Sequence, residues 1–339
     1  MDIVLTSSAF LLAALCAGVM GFAIQRGATC TVAAVDEVLN KRSVRRLTSL
    51  FEASLWVAGG LLVAQAVQRL PNMPAGYALN HWTVVGGVLL GLGAFINGAC
   101  VFGAIARFGS GQWAYLLTPL GFYLGCLSLP ALFGMPAHQK LPHGSLVLQA
   151  PAWVAGAFLL YVLWRMARPL WRTEHIAGLG ANAKLLERAR DALASRLWSP
   201  HAATIVIGIT FFFMLMLVGA WAYTDVLAEL ARGMAASLPA RFLLLLAMLL
   251  GAVWGGWTAG RFHSTRVNAA QVLKCSLGGV LMGWGSLLIP GGNDGLILVG
   301  MPLLWPYAWV AFLTMALSIA AAQWLGKARG VQAASSHAS

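Results

Sequence analysis

Gly86-Gly87-Val88-Leu89-Leu90-Gly91-Leu92-Gly93 and Gly278-Gly279-Val280-Leu281-Met282-Gly283-Trp284-Gly285 share six of eight residues at an offset of 192. The same offset pairs Gly59 with Gly251, Gly103 with Gly295, Trp113 with Trp305 and Tyr115 with Tyr307. Self-similarity at one fixed spacing marks an internal duplication. Coincidence among glycines does not account for the matched Trp and Tyr. Both copies lie inside apolar stretches, where small residues let neighbouring helices approach closely.

The surrounding composition fits helices in lipid. The chain has 339 residues, of which 60% are hydrophobic and 9% charged, and its mean hydropathy is +0.78. A soluble domain carries about 25% charged residues, so this chain lacks the polar surface to face water. The lipid bilayer is therefore its first partner. A net charge of +12 could suggest nucleic acid. The basic residues sit instead in short blocks between apolar spans, without the aromatic interleaving of a nucleic-acid face, so no nucleic-acid partner is expected. Leu5–Ile24 has no positive leader before it and reads as a retained helix rather than a cleaved signal.

Apolar stretches near the length needed to cross a ~30 Å core fall near residues 5–25, 47–67, 83–98, 112–133, 150–166, 201–222, 241–259, 271–289 and 303–325. The third and eighth read as short and run into glycine-rich breaks. The expected fold class is all-α, a polytopic membrane protein of about nine spans. With the N-terminus outside, Lys and Arg concentrate on the cytoplasmic side, including Arg26, Lys41, Arg42, Arg45, Arg46, Arg107, Arg261 and the cluster from Arg165 to Arg196. Only Arg69, Lys140, Arg232 and Arg241 fall outside. The expected residence is a bacterial inner membrane, with the C-terminus cytoplasmic.

The repeat then divides the chain into residues 1–149 (four spans), a connector span and amphipathic insert over 150–200, a second four-span unit over 201–326, and a disordered tail over 327–339. One connector span between four-span units turns the second unit over. The expectation is an inverted repeat with broken helices, a plan that puts a substrate path where the repeats meet.

Two breaks carry cysteine. They are Gly21-Phe22-Ala23-Ile24-Gln25-Arg26-Gly27-Ala28-Thr29-Cys30 and Asn97-Gly98-Ala99-Cys100-Val101-Phe102-Gly103. Glycines interrupt a span where freed backbone groups find other partners, typically beside a cavity. A helix restarting after such a break offers unpaired N–H groups and a positive dipole end to an anion. A thiol there adds a soft contact; a lone cysteine in a span is more often small apolar filler, and it is the pair, each after a glycine break, that points to function. Five cysteines without a CxxC argue against a disulfide framework. Seven scattered histidines give no metal-ligand spacing, and no metal or other cofactor is expected. The absence of a GxxxxGK[ST] run leaves no ATP-binding loop in the chain.

These motifs resemble the YeeE/YedE family of membrane proteins. The resemblance rests on the Gly-Phe-x-x-x-Arg-Gly-x-x-Cys run, the Asn-Gly-Ala-Cys-x-x-Gly run and the Gly-Gly-Val-Leu-Met-Gly-Trp-Gly run. It implies uptake of thiosulfate or a related small sulfur-containing anion along a line of cysteines, with delivery to a cytoplasmic TusA-like sulfur carrier. Cys30 and Cys100 match two of the family's cysteines. The third is missing: by the repeat offset Cys100 pairs with Gly292, which is followed by Asn293 and Asp294. A carboxylate there should repel a dianion unless protonated or paired.

The expected substrate-binding set is Cys30, Cys100, Arg26, Asn97, Gly292, Asn293 and Asp294. Arg26 would supply positive potential, and the two asparagines would orient the ligand. Glu52 is expected to pair with Arg45 or Arg46, and Lys274 to snorkel to the interface. Cys16, Cys126 and Cys275 read as packing. The chain is not expected to be an enzyme. Two other readings stay open. A membrane thiol oxidoreductase would need Cys30 and Cys100 within disulfide reach, and a non-transporting subunit would recruit a partner through residues 168–200.

Overall fold

The computed structural model describes residues 7–71, 73–134, 137–174, 198–233 and 238–336. Among these residues the regular elements are helices. In order they are α1 (Ser8–Gly27), α2 (Thr31–Lys41), α3 (Arg45–Ala66), α4 (His81–Asn97), α5 (Val101–Gly109), α6 (Leu117–Phe133) and α7 (Ala152–Glu174). They continue as α8 (Pro200–Val218), α9 (Tyr223–Ala231), α10 (Leu238–Thr258), α11 (Ala269–Leu288), α12 (Asn293–Gly300, largely a π-turn) and α13 (Pro306–Ser336). Most of the 168–200 insert lies outside the described residues.

Seven helical segments among the described residues are long and apolar enough to cross a membrane. Two of them are interrupted, Ser8–Lys41 between α1 and α2 and His81–Gly109 between α4 and α5. An eighth is the pair α11 and α12, bent by 50° at its break. The apolar part of α7, Ala152–Arg165, is shorter. Each expected stretch thus corresponds to an apolar helix. α11, with 20 residues, is longer than the short eighth span expected. α13 runs on to Ser336, so part of the expected disordered tail is helical.

The duplication is visible in the packing. Shifting residue numbers by 192 carries α1 onto α8, α2 onto α9, α3 onto α10, α4 onto α11 and α5 onto α12. Contacts follow the exchange. α1 packs on α10 as α8 packs on α3, and α6 packs on α11 as α13 packs on α4. α4 and α11 pack on each other across the centre.

That central crossing is made of the glycines that open the sequence argument. A Cβ on Gly86 would lie 2.7 Å from the Gly285 carbonyl, and one on Gly285 would lie 2.6 Å from the Gly86 carbonyl. Gly93 and Gly278 repeat the relation at 2.6 Å in both directions. Gly86 equates to Gly278 and Gly93 to Gly285, so the two contacts are images of one another. Low-numbered residues of α4 meet high-numbered residues of α11, which makes these equivalent helices antiparallel. The second unit is therefore inverted with respect to the first, as a pseudo-two-fold across the helix axes requires.

Exposed apolar side chains such as Leu11, Leu15, Leu160, Trp254, Trp257 and Leu313 cover the outside of the bundle. In water such a surface would aggregate; in a bilayer it is the required one. The protein is a multi-pass membrane protein.

Glu52 departs from expectation. Its carboxylate pairs with Arg165 of α7 at 2.5 Å and with His201 of α8 at 2.5 Å, while Arg46 pairs with Glu37 at 3.0 Å. The geometry of α3 explains this. Glu52 and Arg45 are two turns apart on one helix, and the buried face that carries Glu52 points to α8 and α7 rather than along its own axis.

Candidate functional site

Each broken span restarts on a special residue. Cys30 is the N-cap of α2 and Cys100 the N-cap of α5, both with extended backbone and neither making a side-chain capping bond within its own helix. Their repeat equivalents, Ala222 and Gly292, are the N-caps of α9 and α12. Ahead of the first two breaks the chain turns through left-handed backbone, at Ala28 (φ 47°) and Gly98 (φ 74°). Such turns end a helix within one residue.

The restarted helices meet at the centre. The Thr31 amide, first in α2, donates to Cys100 Sγ at 3.1 Å. The Cys30 and Cys100 side chains are close enough to interact. Gly103 makes this possible, because a Cβ there would sit 2.5 Å from Cys30 Sγ. The Tyr223 hydroxyl donates to the Val101 carbonyl at 3.2 Å, and Asn293 Nδ2 to Thr31 Oγ1 at 3.4 Å. The Thr224 amide donates to Asp294 Oδ2 at 3.2 Å, and its hydroxyl donates to Oδ1. Cys100, Thr31, Thr224, Asn293 and Asp294 are all buried.

Five of the seven expected residues come together here: Cys30, Cys100, Gly292, Asn293 and Asp294. Gly292 is required as glycine, since a Cβ would fall 2.5 Å from Thr224 Oγ1. Asn97 supports the break from behind. Its Nδ2 donates to the Ala99 carbonyl at 2.7 Å, and its Oδ1 accepts from Thr118 at 3.0 Å. Arg26, although buried, is held by Thr258 at 2.9 Å and lies over the Phe22 ring.

The cation at the cysteine break is Arg107. Its Nη2 donates to the Gly98 carbonyl at 2.8 Å and its Nη1 to the Tyr115 hydroxyl. In the sequence Arg107 reads as one of the cytoplasmic cations. Its position seven residues after Cys100, two turns along α5, was the signal that could have singled it out.

Two cavities approach this cluster. One, about 430 Å³, is lined by Gln25, Ala28, Arg107, Ser110, Arg261 and His263. The other, about 300 Å³, is lined among others by Tyr77, His138, Asp225, Glu229, Arg232, Arg241, Gly291, Gly295 and Tyr307. The loop before α11 contributes to the first and the end of α11 to the second. A 20-residue helix is about 30 Å long, so the cavities lie toward opposite ends of the bundle. The first carries Arg107 and Arg261, which favour an anion, whereas in the second Arg232 and Arg241 are balanced by Asp225 and Glu229. The buried junction closes the space between them.

Comparison with known proteins gives this arrangement a relative. The chain is 25% identical to the thiosulfate transporter TsuA of Escherichia coli (strain K12), over 92% of this chain and 93% of that protein. It is 24% identical to the thiosulfate transporter TsuA of Spirochaeta thermophila, over 90% of this chain and 95% of that protein. The family described as Sulphur transport matches residues 26–321, from the last turn of α1 to the middle of α13. With broken helices, neighbouring thiols and an arginine-lined cavity all inside that match, the chain belongs to the Sulphur transport (YeeE/YedE) family and is a membrane transporter of sulfur compounds.

Proposed function

We propose that the protein imports thiosulfate or a closely similar small sulfur anion, using Cys30 and Cys100 as soft contacts at the centre of the path. The observation that carries this reading is the Thr31 amide on Cys100 Sγ at 3.1 Å, with Cys30 beside it. That amide opens an 11-residue helix and is a natural anion donor. An incoming anion can take over the amide while its terminal sulfur meets the thiols. Asn293 orients the ligand from the opposite unit. Arg107 and Arg261 give the anion a positive exit. Import follows if the first cavity faces the cytoplasm, as the bias of Lys and Arg suggests. A TusA-like sulfur carrier would then collect the cargo, and residues 168–200 are a natural docking segment.

The test is uptake of labelled thiosulfate, with sulfite, sulfide and selenium analogues as competitors, in cells that lack other routes. Saturable uptake abolished by Cys100→Ala supports the proposal. Unchanged growth of that variant on thiosulfate as sole sulfur source refutes the cysteine contact.

One observation favours a second reading. The two thiols are neighbours, which is the arrangement a thiol oxidoreductase cycling Cys30 and Cys100 through a disulfide with an external quinone or thiol would use. Thiol counting after oxidation separates the two. A reversible Cys30–Cys100 disulfide required for activity supports the oxidoreductase, and full uptake by Cys30→Ser excludes it.

A further inference from the structure

The two inverted units differ in what occupies the N-terminus of the first restarted helix. In one unit the acceptor at α2 is a thiol, Cys100. In the other, the acceptor at α9 is a carboxylate, Asp294, which takes both the amide and the hydroxyl of Thr224. α9 has nine residues, and its own N-cap, Ala222, makes no side-chain capping bond. Asp294 therefore caps it from another span. The seat that an anion would take is already filled by an anion belonging to the chain.

A second observation bears on the same junction. Asn293, fully buried, uses Nδ2 on Thr31, but its Oδ1 has no hydrogen-bond donor. A fully buried acceptor without a donor leaves a place at the junction for a group that donates a hydrogen bond. The cavity on this side reaches the junction at Gly291 and Gly295, so protons have a path from water.

We propose that Asp294 is a proton-binding gate: as a carboxylate it holds the Thr224 amide, and on taking a proton it releases that amide to the incoming anion, so that the anion crosses together with a proton. Protonation removes the repulsion that a fixed carboxylate would exert on a dianion. It also reduces the charge moved against an inside-negative membrane potential.

The surrounding charges suit such a group. From α9, Asp225 and Glu229 are like charges, and Asp225 interacts with Asp294 directly; the Tyr223 hydroxyl of the same helix also faces it. Arg232 follows α9. Arg241 of α10 is paired with Glu229 at 2.5 Å. Tyr307 of α13, and His138 and Tyr77 from the segments flanking α4 and α6, also line the cavity, and Cys126 of α6 interacts with Arg232 and Asp225. Asp225 lines that cavity and is the natural relay to Asp294.

This inference rests on the transport reading, and the experiment separates their failures. The purified full chain is reconstituted in liposomes and labelled thiosulfate is followed. A pH gradient, acid on the Asp294 side, should drive accumulation by about tenfold per pH unit for one proton per anion, and a protonophore should abolish it. Asp294→Asn should lose gradient-driven accumulation, and whatever thiosulfate exchange it retains should no longer respond to pH. If Asp294→Asn does not reach the membrane, Thr224→Val, which keeps the carboxylate and removes one of its donors, should shift the pH profile of wild-type transport toward higher pH. Thiosulfate movement that ignores the gradient, an Asp294→Asn variant that accumulates like wild type, or an unshifted Thr224→Val profile would each overturn the gate while leaving transport intact. No movement of thiosulfate under any condition overturns the transport reading itself.

Discussion

The amide of Thr31 and the sulfur of Cys100, 69 residues apart in the chain, are joined by a 3.1 Å hydrogen bond that ties the start of α2 to the start of α5. This bond links two broken spans of one unit. It also explains why two separate breaks, Gly27-Ala28-Thr29-Cys30 and Gly98-Ala99-Cys100, bring their thiols to one place.

Cys100→Ala is expected to lower thiosulfate uptake by about 100-fold or more while membrane insertion is kept. Loss of one soft contact and one amide acceptor together approaches about 3 kcal/mol. Cys100→Ser, which restores an acceptor but not a thiol, should recover only part. Uptake of the two variants and the wild type at matched membrane levels is the measurement, and a Cys100→Ser rate equal to wild type would rule out a role for sulfur.

Gly103→Ala should act through Cys30. The new Cβ lies 2.5 Å from Cys30 Sγ and 3.0 Å from Cys30 Cβ, a clash of the kind that costs about 1–3 kcal/mol. Uptake should fall, and Cys30→Ala in the same chain should restore stability but not full transport. Melting in detergent, run beside uptake, separates the two effects.

Arg107→Gln should impair transport more than Arg26→Gln. Arg107 steadies the Gly98 carbonyl, binds Tyr115 and lines a cavity, whereas Arg26 is engaged by Thr258 and Phe22. For Arg107→Gln a raised KM with a smaller change in maximal rate is expected at a site that draws anions. The opposite ranking in a transport titration would return the role to Arg26.

Gly93→Val tests the crossing of α4 and α11. A side chain there meets the Gly278 carbonyl, a backbone atom that cannot rotate away. The apparent Tm should fall by several degrees, more than for Gly156→Val, where the added Cβ meets no atom within 4 Å. Equal melting of the two variants would mean that the helices do not cross there.

Glu52→Gln should destabilise the protein by about 1–3 kcal/mol, because it leaves Arg165 and His201 facing a neutral amide. A fully buried pair would lose more, and here Arg165 is about one-third exposed. Chemical denaturation or melting in detergent is the readout, and an unchanged midpoint would show the cluster to be incidental.

Much of this architecture was legible because membrane helices announce themselves by composition, and because the Gly86 and Gly278 runs repeat at one offset. The breaks were legible through glycine and cysteine together. What the sequence hid was partnership. Glu52 finds Arg165 and His201, which lie 113 and 149 positions on, where only helix packing brings them. Arg107 looked like one more cytoplasmic cation until the left-handed turn at Gly98 aimed a carbonyl at it. Asp294 read as an obstacle to a dianion, and its true neighbour, Thr224, carries no signal in the sequence at all.

The close fit of Gly292 against Thr224 limits what the position can carry. A thiol placed at 292 by a single change would drive its Cβ to 2.8 Å from Thr224 Cβ, and the Thr224 hydroxyl is one of the two donors that seat Asp294. The three positions are interlocked, so that a cysteine at 292 cannot be seated without a shift at Thr224.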